Sequence, residues 1–288
     1  MVIERVTPEV AGLDEVVQAL CDWQVEGDPV QLHPGDLGWF WRFGADVTAA
    51  AVRAWRRDGR LVAVGLLDEP TVLRVALAPG DRSDAEVVGR LAADLDDVAA
   101  GVLPAGSVGV ELPPGSPVRD ALADRGWVVD EPWTPLVRDL SGPVDEAGLR
   151  VEVVTPELAS ARTATQRAAF EQSTFTDDRW RAMAEGPAYA DARCLVGYDE
   201  QGSAVAAVTV WSAGKGRPGL IEPLGVHRDH RGRGHGRAIT LACAAALRDV
   251  GASSAQVVTP GANVAAVATY ASAGFVPLPP RLDLRRPA

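Results

Sequence analysis

The chain is poor in cysteine, in lysine and in long apolar runs. Its three cysteines, Cys21, Cys194 and Cys243, lie far apart and fit no zinc or disulfide spacing. They read as small buried hydrophobes of a reducing cytoplasm. No stretch approaches the ~20 uninterrupted apolar residues that a membrane helix needs. The opening MVIERVTPEV has neither the basic nor the apolar region of a signal peptide. A formal net charge of −11 argues against a nucleic-acid partner, because phosphate contacts need a basic face. The expectation is a cytoplasmic protein with no membrane and no nucleic-acid partner.

At 288 residues, with 47% hydrophobic and 23% charged residues, the composition is ordinary and the length suits two domains. An internal repeat supports that division. Ile3-Glu4-Arg5-Val6-Thr7-Pro8-Glu9 matches Val151-Glu152-Val153-Val154-Thr155-Pro156-Glu157 at five of seven positions, an offset of 148. The same offset sets Arg125-Gly126-Trp127 on Ala273-Gly274-Phe275. The boundary falls in the Gly/Pro turn cluster from Leu140 to Glu146, giving domains 1–142 and 149–288. Each copy reads as β-α-α-β-β-β-α-β-α-β. In the second copy the predicted strands are 149–154, 192–198, 204–212, 220–226 and 255–259. The predicted helices are one opening at Pro156, one over 235–250 ended by Gly251 and one over 263–272, and the tail reads as one or two edge strands.

One segment departs from the acidic background. His227, Arg228, His230, Arg231, Arg233, His235 and Arg237 crowd a turn between a strand and a helix, with glycines at 232, 234 and 236. Glycine permits positive φ and close approach of a ligand to the backbone. The amides of a first helical turn have no partner within the helix, and the helix dipole adds roughly half a positive charge there. Such a nest suits phosphate or pyrophosphate. No lysine follows the glycines, which excludes a P-loop, and Arg237 stands where a dinucleotide fingerprint needs its third glycine.

The segment resembles motif A of the GCN5-related N-acetyltransferase (GNAT) superfamily, [Q/R]-x-x-G-x-[G/A] after a strand ending V-x-P. Arg231, Gly234 and Gly236 hold its fixed positions, and Arg228 replaces the usual proline. Asn263, Ala266, Tyr270, Gly274 and Phe275 follow the family's N-x-x-A-x-x-x-Y-x-x-x-G-F pattern. The resemblance covers about residues 149–288. It implies tandem α/β (α+β) folds, each a central mixed, mostly antiparallel twisted sheet flanked by helices. It implies acetyl-CoA as acyl donor, no metal, and transfer of the acetyl group to a primary amine.

On matching positions the resemblance gives each residue a role. Backbone groups of Leu224 and Val226, flanking Gly225, pair with the pantetheine arm like an added strand. The amides of Gly232, Arg233, Gly234, His235, Gly236 and Arg237 hold the pyrophosphate, with the Arg231, Arg233 and Arg237 side chains beside them. Tyr270 protonates the departing thiolate, and Glu222 takes the amine proton directly or through water. Each has a plainer alternative: Tyr270 as packing under Phe275, Glu222 as a salt-bridge partner, Asn263 as a helix N-cap instead of a cofactor contact.

The first copy lacks the chemistry. By the offset, Arg231 falls on Ser83, Gly234 on Glu86, Gly236 on Val88, Tyr270 on Leu122, Asn263 on Gly115 and Glu222 on Arg74. Ser83 or Asp84 reads as an ordinary N-cap. The expectation is a degenerate first domain that walls the acceptor site or packs as an internal pseudo-dimer, with Trp39, Trp41, Trp55 and Trp133 available for that packing. The chain is then a monomer or a homodimer. A small-molecule amine, a peptide amine, or no acceptor at all (an acyl-CoA-responsive regulatory module) remain open, since the acceptor choice lies in the variable regions 158–192 and 213–219.

Overall fold

A computed structural model describes residues 2–288. In the first half, strand β1 (Ile3–Val6) leads into helices α1 (Leu13–Asp22), α2 (Pro34–Phe40) and α3 (Ala45–Ala51). An antiparallel meander follows: β2 (Val52–Arg57), β3 (Arg60–Glu69) and β4 (Val72–Leu77). Then come α4 (Ala85–Asp96), β5 (Val108–Glu111), α5 (Pro117–Ala123) and the long β6 (Val128–Asp139). The second half follows the same order with two helices in place of three before its meander and two strands in place of one at its end: β7 (Arg150–Val153), α6 (Ala159–Ala169), α7 (Asp177–Ala184), β8 (Ala192–Tyr198), β9 (Ala204–Trp211), β10 (Gly219–Val226), α8 (His235–Asp249), β11 (Ser254–Pro260), α9 (Val264–Ser272), β12 (Val276–Pro277) and β13 (Arg281–Arg286). The predicted elements of the second half agree to within one or two residues, except that Pro156 opens a 3-10 turn before α6 begins.

The strands form one twisted sheet in the order β1-β2-β3-β4-β5-β13-β6-β11-β10-β9-β8-β7, with β12 also against β6. Among the described residues only β4–β5 and β10–β11 are parallel. The two halves exchange their last strands at the centre. β13, from the second half, pairs with β5 of the first, and β6, from the first half, pairs with β11 of the second along 133–139. The tail expected at an edge therefore lies in the middle of the sheet. Its sequence, Arg-Leu-Asp-Leu-Arg-Arg, alternates as an edge strand would, and only its long-range pairing decides the position.

The exchange carries side chains with it. Leu284 of β13 is buried in the core of the first half and Leu136 of β6 in that of the second. Each burial contributes about 1.5–3 kcal/mol. A third core is common to both halves and is built on α2. Gly35 and Gly38 of α2 lie against the fully buried Trp211 of β9, and Trp41 packs on Gly186. Trp39 stacks on Phe175 at 5.2 Å. Trp39, Trp41 and Trp133 thus join the halves, whereas Trp55 stays inside the first, its Nε1 donating to Asp94 at 2.8 Å. The three cysteines are free, two of them buried. Among the described residues no helix is long and apolar enough to cross a membrane.

Candidate active site

The site begins where two parallel strands part. β10 pairs with β11 only at Gly219–Ala255 and Leu220–Gln256, although both strands continue, so beyond Leu220 they diverge. A bulge between Ile221 and Leu224 bends β10 at this point. It is pinned by Trp211, whose Nε1 donates to the Glu222 carbonyl at 2.6 Å. Past the bulge, His227 N donates to Val205 O at 2.8 Å. Because bonded and non-bonded pairs alternate in an antiparallel ladder, Leu224 and Val226 turn their peptide groups away from β9. They face the gap. Gly225 turns its peptide groups toward β9, and its Cα faces α6, where a Cβ would stand 2.5 Å from Ala169.

Below the gap lies the glycine turn. Gly232 and Gly234 have φ of 76° and 84°, the left-handed region that favours glycine. Gly236 serves a different purpose, since a Cβ there would meet Thr269 at 2.9 Å and push α8 off α9. Among the described residues the amides of 232–237 donate to no carbonyl. All of these residues but Arg233 line a cavity of about 700 Å³ with Leu224, Val226 and Tyr270. Open, unspent donors around glycines in positive φ fit a pyrophosphate.

The arginines divide their labour. Arg231 donates to Ala169 O at 2.7 Å and Arg228 to Ala168 O at 2.8 Å, so both cap the C-terminus of α6 and tie it to the turn. Arg237 donates to Ser272 O at 2.9 Å. Arg233 is exposed at the rim, and His235 opens α8 beside it. His230 meets His227 edge to face at 5.1 Å between ring centroids and lies 6.4 Å from His235, with its Nδ1 3.6 Å from Asp199. No group of three potential metal ligands occurs among the described residues.

A second cavity, of about 440 Å³, meets the first at Leu224, Asn263, Ala266 and Tyr270. Asn263 is the N-cap of α9, its Oδ1 accepting from Ala266 N at 3.1 Å, and it lines both cavities. Tyr270 is buried, with its ring centroid 6.0 Å from that of Phe275. It packs beside Phe275 and lines both cavities. Burial raises its hydroxyl pKa, so the proton stays on the oxygen. Glu222 lines the second cavity, and burial pushes its carboxyl up to about 8 against the pull of Arg74, with Asp36 acting in the same direction as burial.

The far wall of this cavity comes from residues that the sequence motifs did not single out. Asp36, Arg74 and Glu111 belong to the first half, and Arg281 to the exchanged β13. Arg74 Nη1 lies 2.7 Å from Asp36 and 3.5 Å from Glu222, while Arg281 Nη2 is 3.1 Å from Glu111. One signal for the pair was present: the repeat offset puts Arg74 on Glu222, residues of opposite charge at equivalent strand positions. They are also in contact.

The equivalent of the glycine turn in the first half is closed by its own side chains. Asp84 caps α4, accepting from Glu86 N at 3.0 Å and Val87 N at 3.1 Å. Arg57 grips the same carboxylate at 2.6 Å. An internal anion thus occupies the helix N-terminus, with its pKa held below the usual carboxylate range by Arg57 and these amides.

A gap between diverging parallel strands, floored by an amide nest at a helix N-terminus, defines the GNAT fold. Residues 156–275 match the family described as acetyltransferase (GNAT), so this stretch of the chain, which holds the glycine turn and Tyr270, is similar to that family. Solved structures resemble it along nearly its whole length. A GCN5-related N-acetyltransferase from Sphaerobacter thermophilus is 19% identical, with a TM-score of 0.59 over 99% of this chain and 95% of that one. A tandem GNAT protein from the clavulanic acid biosynthesis pathway is 18% identical, with a TM-score of 0.60 over 99% and 98%. A GNAT-family acetyltransferase from Colwellia psychrerythraea is 15% identical, with a TM-score of 0.62 over 99% of each. Comparison with curated protein sequences gives no match.

Proposed function

We propose that the chain transfers an acetyl group from acetyl-CoA to a primary amine of a small molecule, at one site in the second half. The observation that carries this is the junction of the two cavities at Leu224, Asn263, Ala266 and Tyr270. One cavity offers donors for a pyrophosphate and a free strand edge for pantetheine, and the other offers a carboxyl for an amine. At about 440 Å³ and walled by the first half, the second cavity suits a small acceptor.

In this reading the amides of Gly232 to Arg237 hold the pyrophosphate, Leu224 and Val226 align the arm, and Asn263 shapes the junction. Glu222 takes a proton from the acceptor nitrogen as its bond to the acetyl carbon forms. Tyr270 gives a proton to the sulfur as the carbon–sulfur bond breaks, so the net proton moves from nitrogen to sulfur. Positioning of the amine against the thioester supplies much of the remaining rate. Residues 149–288 carry the catalysis, and residues 1–142 act as a silent wall.

The test combines calorimetric binding of acetyl-CoA with thiol release against a panel of small primary amines and peptides. The expected result is binding at tens of micromolar and thiol release with a small amine. Tyr270→Phe should slow turnover by about 10²–10⁴-fold with binding nearly unchanged. Absence of binding sinks the reading. Binding without thiol release identifies a regulatory module, and release with peptides alone identifies a protein acetyltransferase.

A further inference from the structure

Glu222 is held twice from the side of the first half. Its carbonyl accepts from Trp211 Nε1, and α2 lies on that indole through Gly35 and Gly38. Its carboxyl has both oxygens 3.5 Å from Arg74 Nη1, the nitrogen that donates to Asp36 Oδ1 at 2.7 Å. Asp36 is fixed independently, because its Oδ2 accepts from His33 N at 2.6 Å in a capping box. Arg74 also meets Asp68 of β3 at 3.0 Å and Glu111 of β5 at 3.4 Å. Arg42 and Tyr270 complete the groups whose charge or dipole acts on Glu222, with Arg281 reaching it only through Glu111.

We propose that Arg74 and Asp36, both from the first half, are positioning residues for Glu222: Arg74 anchors its carboxyl at the junction of the cavities, and Asp36, on the same nitrogen, limits how strongly Arg74 can do so. The first half then does more than wall the acceptor cavity; it sets the pH at which the second half works. This rests on Glu222 as the base. One guanidinium faces four carboxylates and cannot neutralise them all, so Asp36 and Glu222 compete for it.

The competition has an unusual signature. Removing the charge of Asp36 frees Arg74 for Glu222 and lets Glu222 ionise at lower pH. Removing the charge of Arg74 does the reverse. Simple loosening of the site admits water and lowers the Glu222 midpoint in both variants.

The measurement is a carbon-13 NMR titration of the full chain labelled at glutamate side-chain carboxyls, with the Glu222 resonance assigned by its absence in Glu222→Gln. In the native protein its midpoint is expected at about 8. Asp36→Asn, which keeps an oxygen for the cap, should lower it by about one pH unit or more. Arg74→Gln should raise it by a similar amount, and Arg74→Lys should leave it near the native value. Arg74→Gln strands four carboxylates and risks misfolding, so Asp36→Asn is read together with its thermal melt: a lowered midpoint at native Tm supports the competition, and a lowered midpoint with a lowered Tm is loosening and overturns it. An unmoved or raised midpoint in Asp36→Asn overturns the proposal. The base reading fails separately, if Glu222→Gln keeps native turnover with the amine panel while the shifts occur as stated.

Discussion

Gly38 of the first half lies so close under the indole of Trp211 in the second that a Cβ on it would collide with Trp211 Cζ3. Gly35, one turn earlier, stands in the same relation, with a Cβ placed 2.5 Å from Trp211 Cβ. The helix α2 needs both glycines to lie flat on a ring that is fully buried and has nowhere to move. The same ring holds the Glu222 carbonyl, so the seam between the halves and the geometry of the site share one side chain.

Gly38→Ala tests that seam, and two effects oppose. Alanine in a helix interior gains about 1 kcal/mol over glycine. Overpacking a rigid core costs about 1–3 kcal/mol, and a collision with a locked indole belongs at the upper end. The collision should win, lowering Tm by roughly 2–8 °C in a thermal melt and reducing turnover with it. An unchanged or raised Tm would show that the ring yields.

The glycine turn should respond differently. Gly232 and Gly234 have open space where a Cβ would go, so alanine there is opposed only by positive φ, at about 1–2 kcal/mol for each. The turn can escape that strain by moving, which misaims the amides. Gly234→Ala should therefore weaken acetyl-CoA binding about tenfold by calorimetry while Tm moves little. Equal affinity in the variant would mean that the amides of 232–237 are not the anion site.

Much of this site was legible because its chemistry is local. A strand end, a glycine turn and a helix start lie within one short segment, and the spacing from Asn263 to Phe275 follows from one helix. The strand exchange was not legible. β13 has the alternation of an edge strand and β6 has no regular alternation, and nothing nearby in the chain states that they meet across the centre of the sheet. The wall of the second cavity was hidden for the same reason, since Asp36, Arg74, Glu111 and Arg281 are distant in sequence and become neighbours only through that exchange and the seating of α2. Arg231 was legible as a position of the glycine-turn motif, but its guanidinium is turned to the end of α6, a job that depends on where α6 packs.

The first half supplies its own control. Asp84 fills the helix N-terminus that in the second half stands open, so calorimetry should give one acetyl-CoA per chain. Asp84→Ala removes the cap and the partner of Arg57, and should lower the protein's stability without adding a second binding event. A stoichiometry of two, in the native protein or the variant, would show that the first half can still grip the ligand.

The last prediction concerns stability against pH. Burial raises the Glu222 carboxyl from 4.5 in an unstructured chain to about 8, and the Asp283 carboxyl to about 6. Between the two values for each group the folded protein binds the proton and the unfolded chain does not, so stability falls as pH rises through that window. His33 works the other way. Buried, with Nε2 within 3.1 Å of Pro218 O, it is held near 4 against 6.5 in the unfolded chain, so stability rises with pH between those values. Below about pH 6.5 the trends of His33 and the carboxyls oppose each other. From about 6.5 to 8 Glu222 acts without them, and the free energy of unfolding should decline by up to about 1.4 kcal/mol per pH unit. Denaturant titrations at three values across that window, on the native chain and on Glu222→Gln, read the slope directly. The glutamine should flatten it and leave the variant the more stable protein at pH 8. A slope that survives the substitution would assign the buried proton to another group of the cluster around Arg74.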